Sequence, residues 1–162
     1  MKELSRPRRI EDVRELVQIL QLRAVNEDSF SARRGEPNTG QNLGQGVRFE
    51  VGVTEDDMLA TQFGFQFVAG DCSIESSFIA IWSASEAITV SGAAMGEFLE
   101  RVAMMAVYPF QREALATYAT RLRVPVPTLG LVRQGEIDLK IDPDSLDRFL
   151  QDKVFLYSDE KT

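Results

Sequence analysis

The chain of 162 residues has no histidine, one cysteine and one tryptophan. Without histidine it lacks the commonest general base and the commonest metal ligand near neutral pH. A Ser-His-Asp or Cys-His arrangement cannot be built within one chain, and neither can a Cys/His zinc site. A lone Cys72 excludes an internal disulfide and fits a reducing, cytoplasmic setting. No apolar run is long enough to cross a bilayer. The opening residues, MKELSRPRRIEDV, are charged with no apolar stretch behind them, which does not read as a secretory signal. These absences favour a non-catalytic protein without cofactor or metal. A carboxylate-dependent hydrolase is the remaining enzyme class, yet no carboxylate pair falls within the apolar faces.

What is present is apolar surface and negative charge. Hydrophobic residues make up 44% of the sequence, enough for a sizeable core in a single domain over 1–162. The net charge of −7 argues against nucleic acid as the main partner, because phosphates need Lys and Arg. Residues 1–34 carry a net +2, residues 35–90 a net −7, residues 91–134 a net +2 and residues 135–162 a net −4. The strongly negative block holds most of the expected strands. It reads either as ordinary solubility or as an acidic docking face for a basic partner.

The pattern of apolar residues predicts an α+β fold. A short helix over about 10–16 followed by a strand over about 18–33 fits Ile10, Val13, Val17 and Leu20; one helix over 9–24 fits nearly as well. Residues 35–46, GEPNTGQNLGQG, predict a mobile loop, and the polar end over 158–162 predicts a frayed tail. Val47, Phe49, Val51 and Val53 then alternate with polar neighbours, as do Phe63, Phe65 and Phe67. In a third run, Phe78, Ala80 and Trp82 take one face while Ile79 and Ile81 take the other. The short connections predict antiparallel pairing, hence a four-stranded antiparallel sheet with two main helices on one side. Those helices span about 92–107 and from Pro109 to near Leu122. Pro109 predicts a kink or break between them. Asp142 as cap and Pro143 at the first helical position predict a short C-terminal helix with Leu146, Phe149 and Leu150 on its apolar face.

Several motifs carry no chemistry. Gly35, Gly40, Gly44 and Gly46 lack phosphate-cradle spacing, and Glu55-Asp56-Asp57 lacks the alternation of a calcium loop. The aromatic residues of the strands read either as core or as the lining of a groove for extended apolar peptide. The helix over 92–107 is apolar around most of its circumference, and only Glu97, Glu100 and Arg101 give it a polar side. Such a helix needs partners on more than one side, which suggests self-association.

The segment Val107-Tyr108-Pro109-Phe110-Gln111-Arg112-Glu113, followed by Leu122, Pro125 and Leu129, resembles the helical signature of the export chaperone SecB. That signature reads aliphatic, aromatic, Pro, aromatic, Ala-Arg-Glu, then a helix and Arg-Gly-x-Phe-Pro-x-Leu. The resemblance implies a cytoplasmic, ATP-independent holdase, a homotetramer built as a dimer of dimers, binding non-native polypeptide in grooves between sheet and helices. It places client binding at Phe63, Phe65, Phe78, Trp82, Tyr108, Phe110 and Leu129. It places the oligomer interface at Met95, Phe98, Leu99, Val102 and Met105. The partners it implies are unfolded clients, with the translocase motor or an antitoxin behind them. Gln111 stands where alanine is usual, residues 131–135 depart from the family exit, and the C-terminus has no Cys or His. These departures loosen the tie to export and point to a divergent member, such as the chaperone of a toxin–antitoxin–chaperone system. The alternative is an adaptor of the same fold that binds one folded partner through an acidic sheet face.

Overall fold

The computed structural model describes residues 6–35, 44–69, 71–125 and 138–156. Four strands form one antiparallel sheet: β2 (Leu20–Arg34), β3 (Gly44–Val53), β4 (Leu59–Ala69) and β5 (Cys72–Ala84), in the order β2-β5-β4-β3. Directly opposed residues share a face. Phe63 opposes Phe78 and Phe49, while Leu59 opposes Trp82 and Val53. One face is therefore apolar and covered, as the alternation predicted, with Ile79 and Ile81 on the other.

The N-terminal ambiguity resolves toward helix then strand. A short β1 (Arg8–Ile10) leads into α1 (Val13–Ile19), and β2 begins at Leu20. Asp12 caps α1 by accepting from Arg14 N–H at 2.8 Å. A second, parallel pairing joins β1 to β6 (Ile88–Val90), and Phe155 bridges Ile88 on the other side. Phe155 is wholly buried there. The three-residue strands are too short to show a period, so this clip leaves no trace in the apolar pattern.

The helical layer differs in one respect from expectation. Ser91 caps α2 (Gly92–Phe98), which passes without a gap through a π turn (Leu99–Ala103) into α3 (Met104–Leu122). The backbone stays helical through Pro109, so the expected break there is corrected. Proline removes one hydrogen bond, to the Met105 carbonyl, and Met105 and Pro109 lie on the solvent side. The irregularity sits upstream instead, where Met104 N–H reaches Leu99 O in a wide turn. Arg123, in left-handed geometry, ends α3.

α3 lies on the covered sheet face. Gln111 meets the Ser76 hydroxyl, Tyr118 donates to the Glu27 carboxylate, and Trp82 packs edge-on against Phe98 at 5.0 Å. The Trp82 indole N–H donates to Thr61 Oγ1 at 2.9 Å, which satisfies the polar end of a buried ring. α4 (Pro143–Leu150), capped by Asp142, docks on α2 with Leu146 and Leu150 buried. An added Cβ at Gly92 would stand 2.0 Å from Pro143 O, so only glycine permits this approach. The loop expected over 35–46 is shorter than predicted, because residues 44–46 already pair with β4 as part of β3; residues 36–43, Leu129 and the expected tail over 158–162 lie outside the described residues.

Candidate functional site

Two recesses open along the covered face of the sheet, the first largely apolar and the second mixed. The first, of about 410 Å³, lies between edge strand β3 and α4. Phe49 and Val51 form one wall; Ile141, Leu146 and Phe149 form the other. Phe149 is 44% exposed although it stands beside two buried leucines, and Phe49 and Val51 are half-buried. The Ser145 and Phe149 flank, one turn apart, overhangs the cleft, while Leu146 spans from the cleft wall to Gly96 of α2 and Leu150 is buried. Among the described residues β3 pairs only with β4, which leaves its outer edge without a strand partner. The rim carries Glu50 and Asp142. The Ser145 hydroxyl and Asp144 N–H hold the Asp142 carboxyl below the usual range, so it is ionised at neutral pH.

The second recess, of about 380 Å³, lies between β2 and α3. Phe78 and Phe110 line it with ring centroids 6.3 Å apart. Phe30, 58% exposed, stacks on Tyr118 at 4.7 Å. Burial, and then the Glu27 carboxylate beside it, push the Tyr118 phenol up to about 12.

The residues expected to bind clients separate into three groups. Phe63, Phe65, Trp82 and Tyr108 are buried inside the chain. Phe78 and Phe110 meet in the second recess, with Phe110 43% exposed. Leu129 lies outside the described residues. Of the expected interface set, Met95, Phe98 and Leu99 have no exposed surface, because α1, α4 and the sheet already surround that helix. Val102 and Met105 are half-exposed. A side chain without accessible surface offers no area to a partner, so the chain itself accounts for most of the helix's apolar circumference. Sequence reasoning passed over Phe49, Val51, Phe30 and Phe149 as site residues. The available signal was Phe149, which widens the apolar stripe of α4 beyond what an eight-residue helix can bury.

Charge also falls differently from the block count. On the open sheet face the register sets Arg33 and Arg48 among Glu50 and Glu75, and Arg23 reaches Ser83 there. β2 brings arginines from the basic N-terminal block onto that face. The acidic excess sits in turns: Glu55, Asp56 and Asp57 are exposed between β3 and β4, while Asp71 pairs with Arg34 and Glu86 with Arg8. The open face is thus mixed in sign, and the observation that motivated an acidic docking sheet falls away.

Among the described residues no group of three or more His, Cys, Asp and Glu is placed to hold a metal ion. No described helix is long and apolar enough to cross a membrane.

No family model matches the chain. The SecB-like chaperone SmegB of Mycolicibacterium smegmatis is 30% identical over 139 residues, which span 83% of this chain and 90% of that protein. The chain belongs to the SecB-like chaperones. Its fold is that of a solved SecB-like chaperone, Rv1957 of Mycobacterium tuberculosis, in complex with a ChAD peptide from the Rv1956 HigA1 antitoxin. The TM-score is 0.57 at 17% identity, covering 74% of this chain and 95% of that one. Within this SecB-like frame the unusual Gln111 has a structural partner, the buried Ser76 hydroxyl, which an alanine at that position could not satisfy.

Proposed function

We propose that the protein is an ATP-independent holdase that keeps non-native polypeptide, of the antitoxin kind, from aggregating. The observation that carries this reading is the α4–β3 cleft: an exposed Phe149 opposite half-buried Phe49 and Val51, beside a strand edge that has no strand partner among the described residues. An extended client laid along β3 gains main-chain hydrogen bonds from the edge and inserts alternate side chains between the apolar walls. Each well-buried large side chain contributes about 1.5–3 kcal/mol. Ordering the client offsets part of that, so one cleft binds weakly and several must act on one chain.

Assembly supplies the several. Val102 and Met105, half-exposed on the helical layer, are the surface we assign to self-association into a homotetramer. Linked clefts raise the effective concentration of the second contact without new chemistry. No bond is made or broken in this cycle, and the working compartment is the cytoplasm. The test is turbidity of a chemically unfolded client diluted with and without this protein. Suppression near one client per oligomer is expected; undiminished aggregation with excess protein present contradicts the reading.

A further inference from the structure

Three distant parts of the chain meet at one carboxylate. Asp147 Oδ1 on α4 accepts from Gly92 N–H at 2.9 Å, at the start of α2, and from Arg9 Nη2 at 3.3 Å, on β1. The contact is tight as well as polar, since a Cβ added at Gly92 would lie 2.6 Å from Asp147 N. Gly96, one turn on, receives Ile141, whose Cγ2 would be 3.2 Å from a Cβ there. α2 therefore offers α4 a seat of two glycines, and Asp147 locks it in place.

β1 is itself fixed. Arg8 pairs with Glu86 at 3.0 Å and with Glu15, and the strand is hydrogen-bonded to β6. Arg9 thus reaches Asp147 from a fixed base. The Gly92 N–H and, less strongly, Arg9 hold the Asp147 carboxyl below its ordinary range, against the opposing effect of burial. The opposite flank of the same helix presents Ser145 and Phe149 to the cleft. A small movement of α4 away from α2 consequently shifts Phe149 relative to Phe49 and Val51.

We infer that the Arg9–Asp147–Gly92 clasp sets the width of the cleft by holding α4 against α2, making Asp147 and Arg9 positioning residues for client retention. This rests on the α4–β3 cleft being the client site. Neither residue lines the cleft. The N-terminal arm is coupled to the binding wall through them.

The experiment follows fluorescently labelled, reduced and alkylated α-lactalbumin by stopped flow with the full chain and with Asp147→Ala, Asp147→Asn, Arg9→Ala and Arg9→Ala/Asp147→Ala. Amide exchange of α4 and the urea midpoint are recorded for each. Asp147→Ala is expected to speed client release by about three- to tenfold, with association nearly unchanged and α4 amides exchanging faster. Asp147→Asn keeps an acceptor for Gly92 and loses the attraction to Arg9, so it should match Arg9→Ala and fall between wild type and Asp147→Ala. The double variant should be no worse than Asp147→Ala, because the two residues act as one unit. Additive effects, release at the wild-type rate despite faster α4 exchange, or a loss fully explained by the urea midpoint would each overturn the clasp. A wild-type chain that binds no client sinks the cleft reading and this inference with it; tight wild-type binding with unaltered variants sinks the clasp alone.

Discussion

Replacing Trp82 by alanine separates a core ring from a groove ring. The side chain is nearly inaccessible, rests edge-on against Phe98 at 5.0 Å, and donates to Thr61 Oγ1 at 2.9 Å. Removing it opens a cavity beneath the junction of α2 and the π turn. Buried Trp→Ala replacements cost about 3–5 kcal/mol. Thr61 keeps a contact to the Ala80 carbonyl at 3.5 Å, so the orphaned hydroxyl adds little to that. With a urea dependence of about 2 kcal/mol per molar, the midpoint should fall by roughly 2 M. Trp82 is the only tryptophan, so the assay follows far-UV circular dichroism rather than fluorescence, at one protein concentration. A midpoint shift below about 0.5 M together with lost client binding would show that the ring faces a groove, and the packing argument would be wrong.

Other outcomes follow from individual contacts. Gln111→Ala strands the buried Ser76 hydroxyl and should cost about 1–3 kcal/mol, while Gln111→Ala/Ser76→Ala should recover part of it; additive losses in denaturation would contradict the pairing. The Tyr118 phenol ionises near 10.0 in the unfolded chain and only at about 12 in the folded one. Its contribution is therefore fully present below pH 10 and is lost as pH rises toward 12, and Tyr118→Phe should remove that limb of the stability profile. Asp71, Asp142 and Asp147 have folded values below the ordinary 3.8, so their contribution stands above pH 4 and is lost as pH falls through those lowered values. Asp147→Ala should flatten part of that acid limb in the same titration.

The sheet was legible because two-residue alternation needs no tertiary context. Phe63 and Phe78 could be set on the covered face from sequence alone, and the register then paired them. The cap at Asp142, with Pro143 behind it, fixed a helix start in the same local way. Pro109 misled because its cost depends on whether solvent can reach the carbonyl it orphans, and that is known only once the outward face is known. Charge misled for a related reason. Counting by sequence block could not foresee that β2 pairs with β5 and carries Arg23 and Arg33 onto the face shared with Glu75. The cleft itself is a product of packing: Phe49 and Phe149 lie a hundred residues apart, and only the Gly92 seat for α4 brings their elements together.

The account rests most directly on where a client touches the chain. A photo-crosslinking p-benzoylphenylalanine in place of Phe149, or in place of Glu75 on the open sheet face, should be irradiated in the presence of labelled, permanently unfolded α-lactalbumin. The account predicts a strong crosslink from position 149 and none from position 75. Equal yields from both, or a product from position 75 alone, would contradict it.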